Sequence, residues 1–237
     1  MDLFEYMSMQ RKKEESPLAV RMRPKNLDEV VGQQHIIGKD KLLYRAIKAD
    51  KISSLIFYGP PGTGKTTLAK VIANTTSADF VQMNATTSGK KDMEQAVSQA
   101  KDAFGMYGKK TILFIDEIHR FNKAQQDYLL PFVEDGTVIL IAATTENPYF
   151  EVNSALLSRS QIFHLEPLSQ KDVYKLVKTA VEDNKRGMGA YGTEITEEAA
   201  QFIAQMAGGD ARRALNAVEL GILTTEPDEN GRILIDL

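Results

Sequence analysis

The sequence of 237 residues contains no cysteine and no long apolar run. Without cysteine the chain has no disulfide framework, no thiolate metal site and no cysteine nucleophile. No apolar segment reaches the roughly 18 residues that a membrane-spanning helix needs. The beginning of the chain, MDLFEYMSMQRKKEES, also lacks the apolar core of a signal peptide. These absences predict a cytoplasmic protein that does not cross a membrane.

Neither sign of charge is in large excess. The 29 Lys and Arg residues stand against 32 Asp and Glu residues, which gives a formal net charge of −3. This balance excludes a basic surface over the whole molecule, but it allows a local basic face that binds nucleic acid. The composition, 43% hydrophobic and 26% charged, is that of an ordinary globular protein. At about 150 residues per domain, the length corresponds to one domain and about half of another.

Short apolar segments alternate with amphipathic segments in the first two thirds of the chain. The apolar segments predict strands at 54–59, 80–84, 111–116 and 137–144. The segments around them have helical spacing and predict helices at 41–49, 66–76, 91–104 and 124–133. Strands that are largely apolar and separated by helices predict a parallel sheet covered on both faces. The predicted fold class is therefore α/β, with three layers.

The pattern changes after Pro167. Three amphipathic helices follow with no strand predicted between them, and Ser169 and Thr196 have the character of N-caps. The apolar segment ILIDL at 233–237 has no predicted partner in the sequence. We expect a mobile arm over 1–17, an α/β domain over 18–166, and an acidic, incomplete helical domain over 167–237.

The segment GPPGTGKT at 59–66 matches the phosphate-binding pattern G-x-x-x-x-G-K-[ST], with a predicted strand before it and a predicted helix after it. Glycines allow backbone N–H groups to point into one concave loop, and the helix N-terminus adds its dipole, so both favour a polyphosphate. The alternative, a glycine-rich turn that binds nothing, does not account for the flanking strand and helix. The predicted nucleotide-binding residues of this loop are Gly59, Pro60, Pro61, Gly62, Thr63, Gly64, Lys65, Thr66 and Thr67.

Four of the polar side chains have specific predicted roles. Lys65 reaches the β- and γ-phosphates, and the Thr66 hydroxyl is a ligand for Mg²⁺. Asp116 and Glu117 end the third predicted strand, at the edge where ligands bind in an open α/β sheet. Asp116 there holds Mg²⁺ through water, and Glu117 polarises the attacking water. Alone, such a pair is more often merely solvated, but beside a phosphate loop it indicates a hydrolase.

Four further residues are candidates for contact with the nucleotide or the attacking water, and each has a structural alternative. Thr145 follows the fourth strand and either orients the same water or simply ends the strand. Arg159 lies in a polar turn with no obvious acidic neighbour, and it is either an arginine finger offered to a neighbouring subunit or a solvated arginine. Arg212 and Arg213 open the last helix, where one could reach the γ-phosphate while the other pairs with an acid.

The motifs together resemble a known family. GPPGTGKT, ILFIDEIHRFNKAQQD, IAATTENPYFEVNSALLSR and GGDARRALN are similar to the AAA+ ATPases of the clamp-loader clade. LAVRMRP, TTSGKK and ATTENPYFEVNSALLSR resemble the family of bacterial replication-associated recombination protein A, whose eukaryotic counterpart is the Werner-helicase-interacting protein. The likeness runs from about Leu18 to Leu223. It implies an AAA+ nucleotide-binding domain followed by a helical lid.

The resemblance also implies a role for each matching position. These are Lys65 and Thr66 in Walker A, Asp116 and Glu117 in Walker B, Thr145 in sensor 1, Arg159 as the trans-acting arginine finger and Arg212 in sensor 2. Asn84 is similar to the polar residue that restrains the Walker B glutamate until DNA binds. The segment 30–37 resembles the one that packs against adenine, with no single contact assigned.

Family members are DNA-dependent ATPases that act at stalled or gapped replication forks as homotetramers. The resemblance thus implies ATP and Mg²⁺ as cofactors, nucleoid-associated DNA as a partner, and contacts with single-strand binding protein and the sliding clamp. Asp2-Leu3-Phe4 resembles the end of a clamp-docking motif, although an unstructured start is the simpler interpretation. Because the family's tetramerisation region lies beyond Leu237, we expect this chain to be mostly monomeric and to hydrolyse ATP feebly.

Two basic segments are candidates for DNA contact. Residues 87–91 precede the third helix, and Arg120 and Lys123 follow the Walker B pair. Backbone N–H groups at a helix start, together with lysines, suit phosphate contact without base readout. The alternative is a solvated basic turn. The predicted DNA-tracking surface consists of Lys90, Lys91, Arg120 and Lys123.

Other functions of the same clade compete with this one. A clamp-loader subunit is disfavoured by TTENP and by the absence of zinc-ligand cysteines. A Holliday-junction branch-migration motor needs a β-hairpin between Walker B and sensor 1, and the linking segment is too short for one. A nucleotide-binding module without catalysis is a further alternative, against which Glu117 argues.

Overall fold

The structure is a computed structural model that describes residues 16–237. These residues form two compact units, one of residues 24–166 and one of residues 16–23 and 167–237. We call them the sheet unit and the helical unit. The predicted mobile arm and the Asp2-Leu3-Phe4 motif lie outside the described residues, apart from the end of the arm.

The sheet unit contains five parallel strands in the order β2-β3-β4-β1-β5. They are β1 (Ser54–Tyr58), β2 (Asp79–Asn84), β3 (Thr111–Asp116), β4 (Val138–Thr144) and β5 (Ser160–His164). The first four match the predicted strands to within one or two residues. The parallel sheet confirms the predicted α/β class. Strand β4 lies beside β1, so Thr145 follows the strand next to the one that precedes the phosphate loop.

Helices cover both faces of this sheet. In the sheet unit they are α2 (Gln34–Ile37), α3 (Leu42–Lys48), α4 (Lys65–Thr75), α5 (Lys90–Tyr107), α6 (Lys123–Glu134), α7 (Pro148–Glu151) and α8 (Ser154–Leu157), with 3₁₀ turns at Leu27–Glu29 and Ile118–Arg120. Successive strand residues point to opposite faces. Phe57 therefore packs with Leu68 of α4 on one face, while Ile56 packs with Met93 of α5 on the other. Both sides of the central strands are buried, which explains their continuous apolar sequences.

Strand β5 was not predicted from the sequence. Its segment, SQIFH, is short and half-buried, and it lies at the edge of the sheet next to β1. An edge strand needs no continuous apolar run, so its sequence resembles that of a loop. The chain that leaves β5 nevertheless positions the phosphate loop, as described below.

The helical unit is built on three amphipathic helices, as predicted. They are α9 (Gln170–Glu182), α10 (Glu197–Met206) and α11 (Ala211–Thr224). Ser169 accepts a hydrogen bond from the Asp172 N–H, and Thr196 accepts one from the Ala199 N–H, so both predicted N-caps are confirmed. Val177 and Val218 are fully buried between these helices.

Two predictions about this unit were wrong. A strand, β6 (Thr193–Ile195), lies between α9 and α10, and it pairs in parallel with β7 (Ile233–Ile235). The ILIDL segment therefore has a partner, and Ile233 is buried in the core of the unit. Each strand has only three residues, which is too short for an alternating pattern to stand out in the sequence.

The chain before residue 24 also differs from the predicted division. The short helix α1 (Leu18–Arg21) belongs to the helical unit, whereas the α/β domain was expected to begin at residue 18. Glu219 of α11 accepts hydrogen bonds from the Leu18 backbone N–H and the Arg21 guanidinium. Leu18 is fully buried against the same helices. A single buried leucine on one helical turn gave no periodic signal for this packing.

Candidate nucleotide site

The phosphate loop connects β1 to α4 and is held by the two neighbouring strands. The Gly59 N–H donates to the Thr144 carbonyl oxygen at 3.3 Å, and the Leu165 N–H donates to the Tyr58 carbonyl oxygen at 2.8 Å. Gly59 has φ 145°, and a Cβ there would fall far inside the van der Waals distance of the Leu165 carbonyl oxygen. Glycine is therefore required at the first loop position on grounds of both backbone conformation and space.

The loop offers its backbone donors to a ligand. Gly62 and Gly64 have φ 73° and 100°, and Gly64 is the N-cap of α4. Within the described part of the chain, the N–H groups of Gly62, Thr63, Gly64 and Thr66 donate no hydrogen bond. Free N–H groups around the start of an eleven-residue helix form an anion site. The predicted loop residues are thus brought together in the arrangement that a polyphosphate requires.

Lys65 lies inside this loop rather than in solvent. Lys65 is 7% exposed, and its ammonium donates to the carbonyl oxygens of Gly59 at 2.7 Å and Pro60 at 2.8 Å. A buried ammonium is costly unless its protons are satisfied. The loop carbonyls satisfy them here, and they hold the positive charge at the centre of the site.

Thr66 and Asp116 come from distant parts of the sequence and meet. The Thr66 hydroxyl donates to the Asp116 carboxylate at 3.1 Å. Among the described residues, no group of three or more His, Cys, Asp or Glu side chains forms a metal cage. A hydroxyl and one carboxylate fit Mg²⁺, because this ion keeps several waters and takes further ligands from substrate phosphates. The donor set therefore suits a nucleotide-bound magnesium ion.

Glu117 lies just beyond β3 in an unusual backbone conformation. Its φ is 56°, in the left-handed region, which costs a non-glycine residue about 1–2 kcal/mol. The Thr145 hydroxyl donates to the Glu117 carboxylate at 3.4 Å. The strained turn directs the carboxylate to the end of β4, where sensor 1 was predicted. The structure thus brings Glu117 and Thr145 together.

A histidine that the sequence analysis did not select completes this contact. His119 Nδ1 lies 2.8 Å from the Thr144 hydroxyl oxygen and 3.4 Å from the Glu117 carboxylate. Its side chain is 9% exposed. The only signal in the sequence was its place two residues after Glu117, on the 3₁₀ turn.

Asn84 occupies the predicted strand end but has a different partner. The register of β2 and β3 pairs Asn84 with Asp116. The Asn84 carboxamide oxygen accepts hydrogen bonds from the backbone N–H and the hydroxyl of Thr86, at 2.9 and 2.7 Å. The Glu117 carboxylate instead accepts a hydrogen bond from the Thr145 hydroxyl and lies 3.4 Å from His119 Nδ1. The predicted restraint of Glu117 by Asn84 is not formed in this structure.

Arg159 does have an acidic neighbour, contrary to the sequence analysis. Its guanidinium forms an ion pair of 2.5 Å with Glu134 at the end of α6. The same group donates to the Ala155 carbonyl oxygen and to the Ser158 hydroxyl. Glu134 lies 25 residues away in sequence, so no local pattern indicates the pair. The two side chains are 41% and 49% exposed, which leaves the arginine within reach of solvent.

A buried glutamine ties the segment before Arg159 to α6. Gln126 is 2% exposed and donates to the carbonyl oxygens of Phe121 and Glu151. Its own carbonyl oxygen accepts from the Asn153 N–H at 2.8 Å. The segment that follows β4 is therefore fixed to the helix that follows Walker B.

A second buried glutamine braces the phosphate loop from the predicted adenine segment. Gln33, with φ 57°, donates to the carbonyl oxygens of Thr63 and Glu166 and accepts from the Glu166 N–H. It is buried, and all of these contacts lie within the sheet unit. The sequence analysis assigned no contact to it, because a single glutamine has no periodic signature.

The remaining predicted residues lie on the surface. Arg212 lies in the first turn of α11 in the helical unit, where Asp210 caps the helix by accepting from the N–H groups of Arg212 and Arg213. The four predicted DNA contacts are exposed and follow the carboxyl ends of two neighbouring strands, β2 and β3. They are Lys90, Lys91, Arg120 and Lys123. Lys90 forms an ion pair of 3.6 Å with Glu94 on the same helix.

Within residues 16–237, no helix is both long enough and apolar enough to cross a membrane.

Comparison with known proteins places these features in a family. Residues 55–168 match the ATPase family associated with various cellular activities (AAA), and residues 189–237 match the AAA C-terminal domain. The chain is 49% identical to replication-associated recombination protein A of Escherichia coli K12 and 46% identical to that of Bacillus subtilis. These alignments cover 91% and 93% of this chain, but only 48% and 51% of the relatives. The chain thus spans about half the length of these curated relatives.

The chain is also similar to more distant proteins, two of them by structure. ATPase WRNIP1 of Dictyostelium discoideum is 39% identical over 95% of this chain and 26% of its own length. The Thermotoga maritima RuvB Holliday junction branch migration motor is 30% identical, with a TM-score of 0.67 over 86% of this chain and 67% of that one. A point mutant of the same RuvB superposes with a TM-score of 0.71 at 28% identity, over 90% of this chain and 69% of that one.

Proposed function

This chain belongs to the AAA family of ATPases, in the group of replication-associated recombination protein A, and we propose that it is a DNA-dependent ATPase acting at stalled or gapped replication forks. The observation that carries the proposal is the convergence of Lys65, Thr66, Asp116 and Glu117 at one edge of the sheet. We expect it to act on nucleoid DNA in the cytoplasm.

The loop residues bind and orient ATP. The free N–H groups of the loop and the start of α4 receive the β- and γ-phosphates. Lys65 exchanges its two loop carbonyls for phosphate oxygens, so its charge is already desolvated and in position. Thr66 and Asp116 would hold Mg²⁺, which would neutralise negative charge on the phosphates.

Glu117 acts as the group that receives the proton from water. Water attacks the γ-phosphorus, the bond to the β,γ-bridging oxygen breaks, and the water proton moves to the Glu117 carboxylate, which gives ADP and phosphate. The Thr145 hydroxyl holds the other side of that carboxylate and orients the same water. Correct positioning of the reactants accounts for most of the rate in phosphoryl transfer.

In this proposal, Arg159 of a neighbouring copy of the chain supplies a further positive charge to the γ-phosphate during hydrolysis. In the described residues Arg159 is paired with Glu134, and it is exposed enough to reach another molecule. A trans-acting arginine of this kind increases the rate by about 10³–10⁵. We propose that the full-length protein is a homotetramer, that Arg212 contacts the γ-phosphate from the helical unit, and that an isolated chain of this length is mostly monomeric and slow.

The four exposed basic residues after β2 and β3 contact the phosphates of DNA. Asn84 ends the same strand that precedes Lys90 and Lys91, so DNA bound there is able to move the Asn84 turn relative to Glu117. In this proposal, Asn84 changes its partner from Thr86 to Glu117 when DNA is absent from the assembled protein. Asn84→Ala is then expected to raise the ATPase rate measured without DNA.

The experiment that tests the function is an ATPase assay of the chain alone, with gapped duplex and with single strands. We expect slow basal turnover, stimulation by gapped duplex, and near-complete loss in Glu117→Gln with ATP binding retained. A variant with all four basic residues changed to alanine is expected to lose the stimulation and its salt dependence but to keep basal turnover. The four substitutions are Lys90→Ala, Lys91→Ala, Arg120→Ala and Lys123→Ala. ATP binding without turnover in the wild-type chain would reduce the protein to a nucleotide-binding module.

Two other functions remain as alternatives to the main proposal. The similarity to RuvB favours a Holliday-junction motor as the second candidate. Against it, the chain between β3 and β4 forms a 3₁₀ turn and α6, with no hairpin in this described segment. A clamp-loader subunit is the third. Stimulation by four-way junctions above gapped duplex would favour the motor, and stimulation only with the sliding clamp present would favour the loader.

Protein partners are also proposed. We propose contacts with single-strand binding protein and with the sliding clamp, the latter through Asp2-Leu3-Phe4. Binding of a peptide of residues 1–16 to purified clamp tests the second contact, and no binding would remove it.

A further inference from the structure

Among the described residues, which include all three histidines, His119 contacts Glu117, whereas the contacts given for His35 and His164 run to other residues. It lies on the 3₁₀ turn after β3, and its Nδ1 faces two oxygen atoms, that of the Thr144 hydroxyl at 2.8 Å and one of the Glu117 carboxylate at 3.4 Å. Its side chain is nearly buried, so water does not compete effectively for this nitrogen.

The partners of Nδ1 determine where the imidazole proton lies. Thr144 is fully buried, and its hydroxyl oxygen already accepts a hydrogen bond from the Glu146 N–H at 3.0 Å. An unprotonated Nδ1 would direct a lone pair at the Glu117 carboxylate, which is repulsive. A protonated Nδ1 donates to Thr144 and attracts the carboxylate. The tautomer with the proton on Nδ1 is therefore favoured.

Glu117 needs such a contact. Its side chain is 31% exposed and rotates about three bonds, and its hydrogen bond from Thr145 is long. Its backbone is held in the left-handed region, which fixes the Cα but not the carboxylate. A donor anchored on the rigid end of β4 removes that freedom.

We propose that His119 is a positioning residue for hydrolysis: it joins the end of β3 to the end of β4 and holds the Glu117 carboxylate beside Thr145. This inference rests on the proposed role of Glu117 in ATP hydrolysis. His119 does not contact the nucleotide. It acts through Glu117, and it makes the orientation of Glu117 depend on Thr144, the residue directly before sensor 1.

The first test is spectroscopic and needs no turnover. With only three histidines in the sequence, ¹⁵N-histidine NMR resolves each ring, and replacement of His119 assigns its signals. We expect a protonated Nδ1 in His119, with ¹⁵N shifts that move in Glu117→Gln but not in Glu182→Gln, a matched change in the helical unit. His119 signals that do not respond to Glu117→Gln would overturn the inference.

The second test uses the different shapes of two amides. Asparagine places an amide N–H near the position of Nδ1, whereas glutamine places its amide near Nε2. We expect His119→Gln to lower kcat for ATP between about tenfold and about a hundredfold, with the Kd for ATP unchanged. His119→Asn is expected to retain turnover within about threefold of wild type. A merely structural histidine would not distinguish the two variants.

The outcomes separate this inference from the proposed function. Equal turnover in wild type and His119→Gln, with Glu117→Gln inactive, would overturn the role of His119 and leave the ATPase intact. A wild-type chain without turnover, in which the His119 ¹⁵N shifts still respond to Glu117→Gln, would count against the proposed function and support the contact between His119 and Glu117.

Discussion

The polar contacts at the carboxyl edge of the sheet unit and the N-caps of the helical unit span very different distances in sequence. At the carboxyl edge of the sheet, the contacts of Thr66 with Asp116, Glu117 with Thr145 and His119 with Thr144 join residues 50, 28 and 25 positions apart. In the helical unit, Ser169 bonds to the backbone three residues on, and Asp210 to the backbone two and three residues on. Local bonds end helices, whereas long-range bonds gather groups at one place. Each N-cap therefore stabilises one helix, whereas the contacts at the sheet edge bring polar groups from separate segments of the chain to one place.

The largest expected effect distinguishes a buried lysine of the sheet unit from an ion-paired lysine on the surface of the helical unit. Lys65→Ala is expected to lower kcat/KM for ATP by about 10²–10³, because it removes the buried charge that faces the phosphates. Lys178→Ala in the helical unit breaks an exposed pair of 4.0 Å with Glu182, and we expect unchanged turnover and a stability change within about 0.5 kcal/mol. Steady-state kinetics and urea unfolding of both variants test this. Similar loss of activity in the two would break the comparison.

Glycines provide the next comparison, on stability. Gly59 in the sheet unit and Gly209 in the helical unit both have positive φ, and a Cβ on either would collide with backbone, at Leu165 and Leu168 respectively. Gly136 and Gly208 also have positive φ but have open space. We expect Gly59→Ala and Gly209→Ala to cost about 2–4 kcal/mol, from strain and overpacking together.

The matched variants isolate the effect of space. Gly136→Ala and Gly208→Ala are expected to cost only about 1 kcal/mol, since they carry the conformational strain alone. Thermal or urea unfolding measures all four. If Gly59→Ala cost no more than Gly136→Ala, the close approach of Leu165 would not affect stability. The same comparison of Gly209→Ala with Gly208→Ala tests the close approach of Leu168. Gly59→Ala is also expected to weaken ATP binding, which Gly209→Ala is not.

The sheet could be predicted in detail because burial on both faces leaves a continuous apolar signal. Strands β1, β3 and β4 are such runs, and the loop between β1 and α4 carries its own motif. Strand β5 and the β6–β7 pair were missed or misjudged, since edge and three-residue strands have no such signal. Packing of Leu18 on α11 depends on a contact 201 residues away, which no local pattern encodes.

The residues of the site could likewise be predicted only in part. Residues within a contiguous motif, such as Lys65 and Thr66, were selected from spacing. Residues that work by long-range contact, such as His119 and Gln126, were not, because their neighbours are determined by the register of the sheet. Arg159 was selected, but its partner Glu134 was not. The spacing of residues in a motif predicts which loop binds a ligand. The side chains that support that loop can be identified only once the strand order and register are known.

A smaller effect on the ATPase rate is expected from Glu134, which holds Arg159 in an ion pair and has no proposed role in hydrolysis itself. Its pair with Arg159 is about half exposed, so it is worth at most about 1 kcal/mol. If Arg159 must leave Glu134 to reach a neighbouring copy, Glu134→Gln is expected to raise ATPase at high protein concentration by up to about fivefold. Glu182→Gln, the exposed carboxylate in the helical unit, is expected to change nothing. A fall in activity on Glu134→Gln would instead mean that the pair holds Arg159 in its working position.

The smallest expected effect concerns a local carboxylate of the helical unit. The Arg186 and Lys185 N–H groups and the Arg186 guanidinium lower the pKa of Asp183 below its usual value. A lowered folded-state pKa contributes stability above the unfolded pKa of about 3.9, and this stability is lost as the pH falls through the folded-state pKa. Asp183→Asn is therefore expected to cost less than about 1 kcal/mol at pH 7. The difference from wild type should shrink as the pH falls through the folded-state pKa, because protonated Asp183 resembles asparagine. Thermal unfolding of both proteins across this range measures it, and a difference independent of pH would mean that the charge of Asp183 has no part in ending α9.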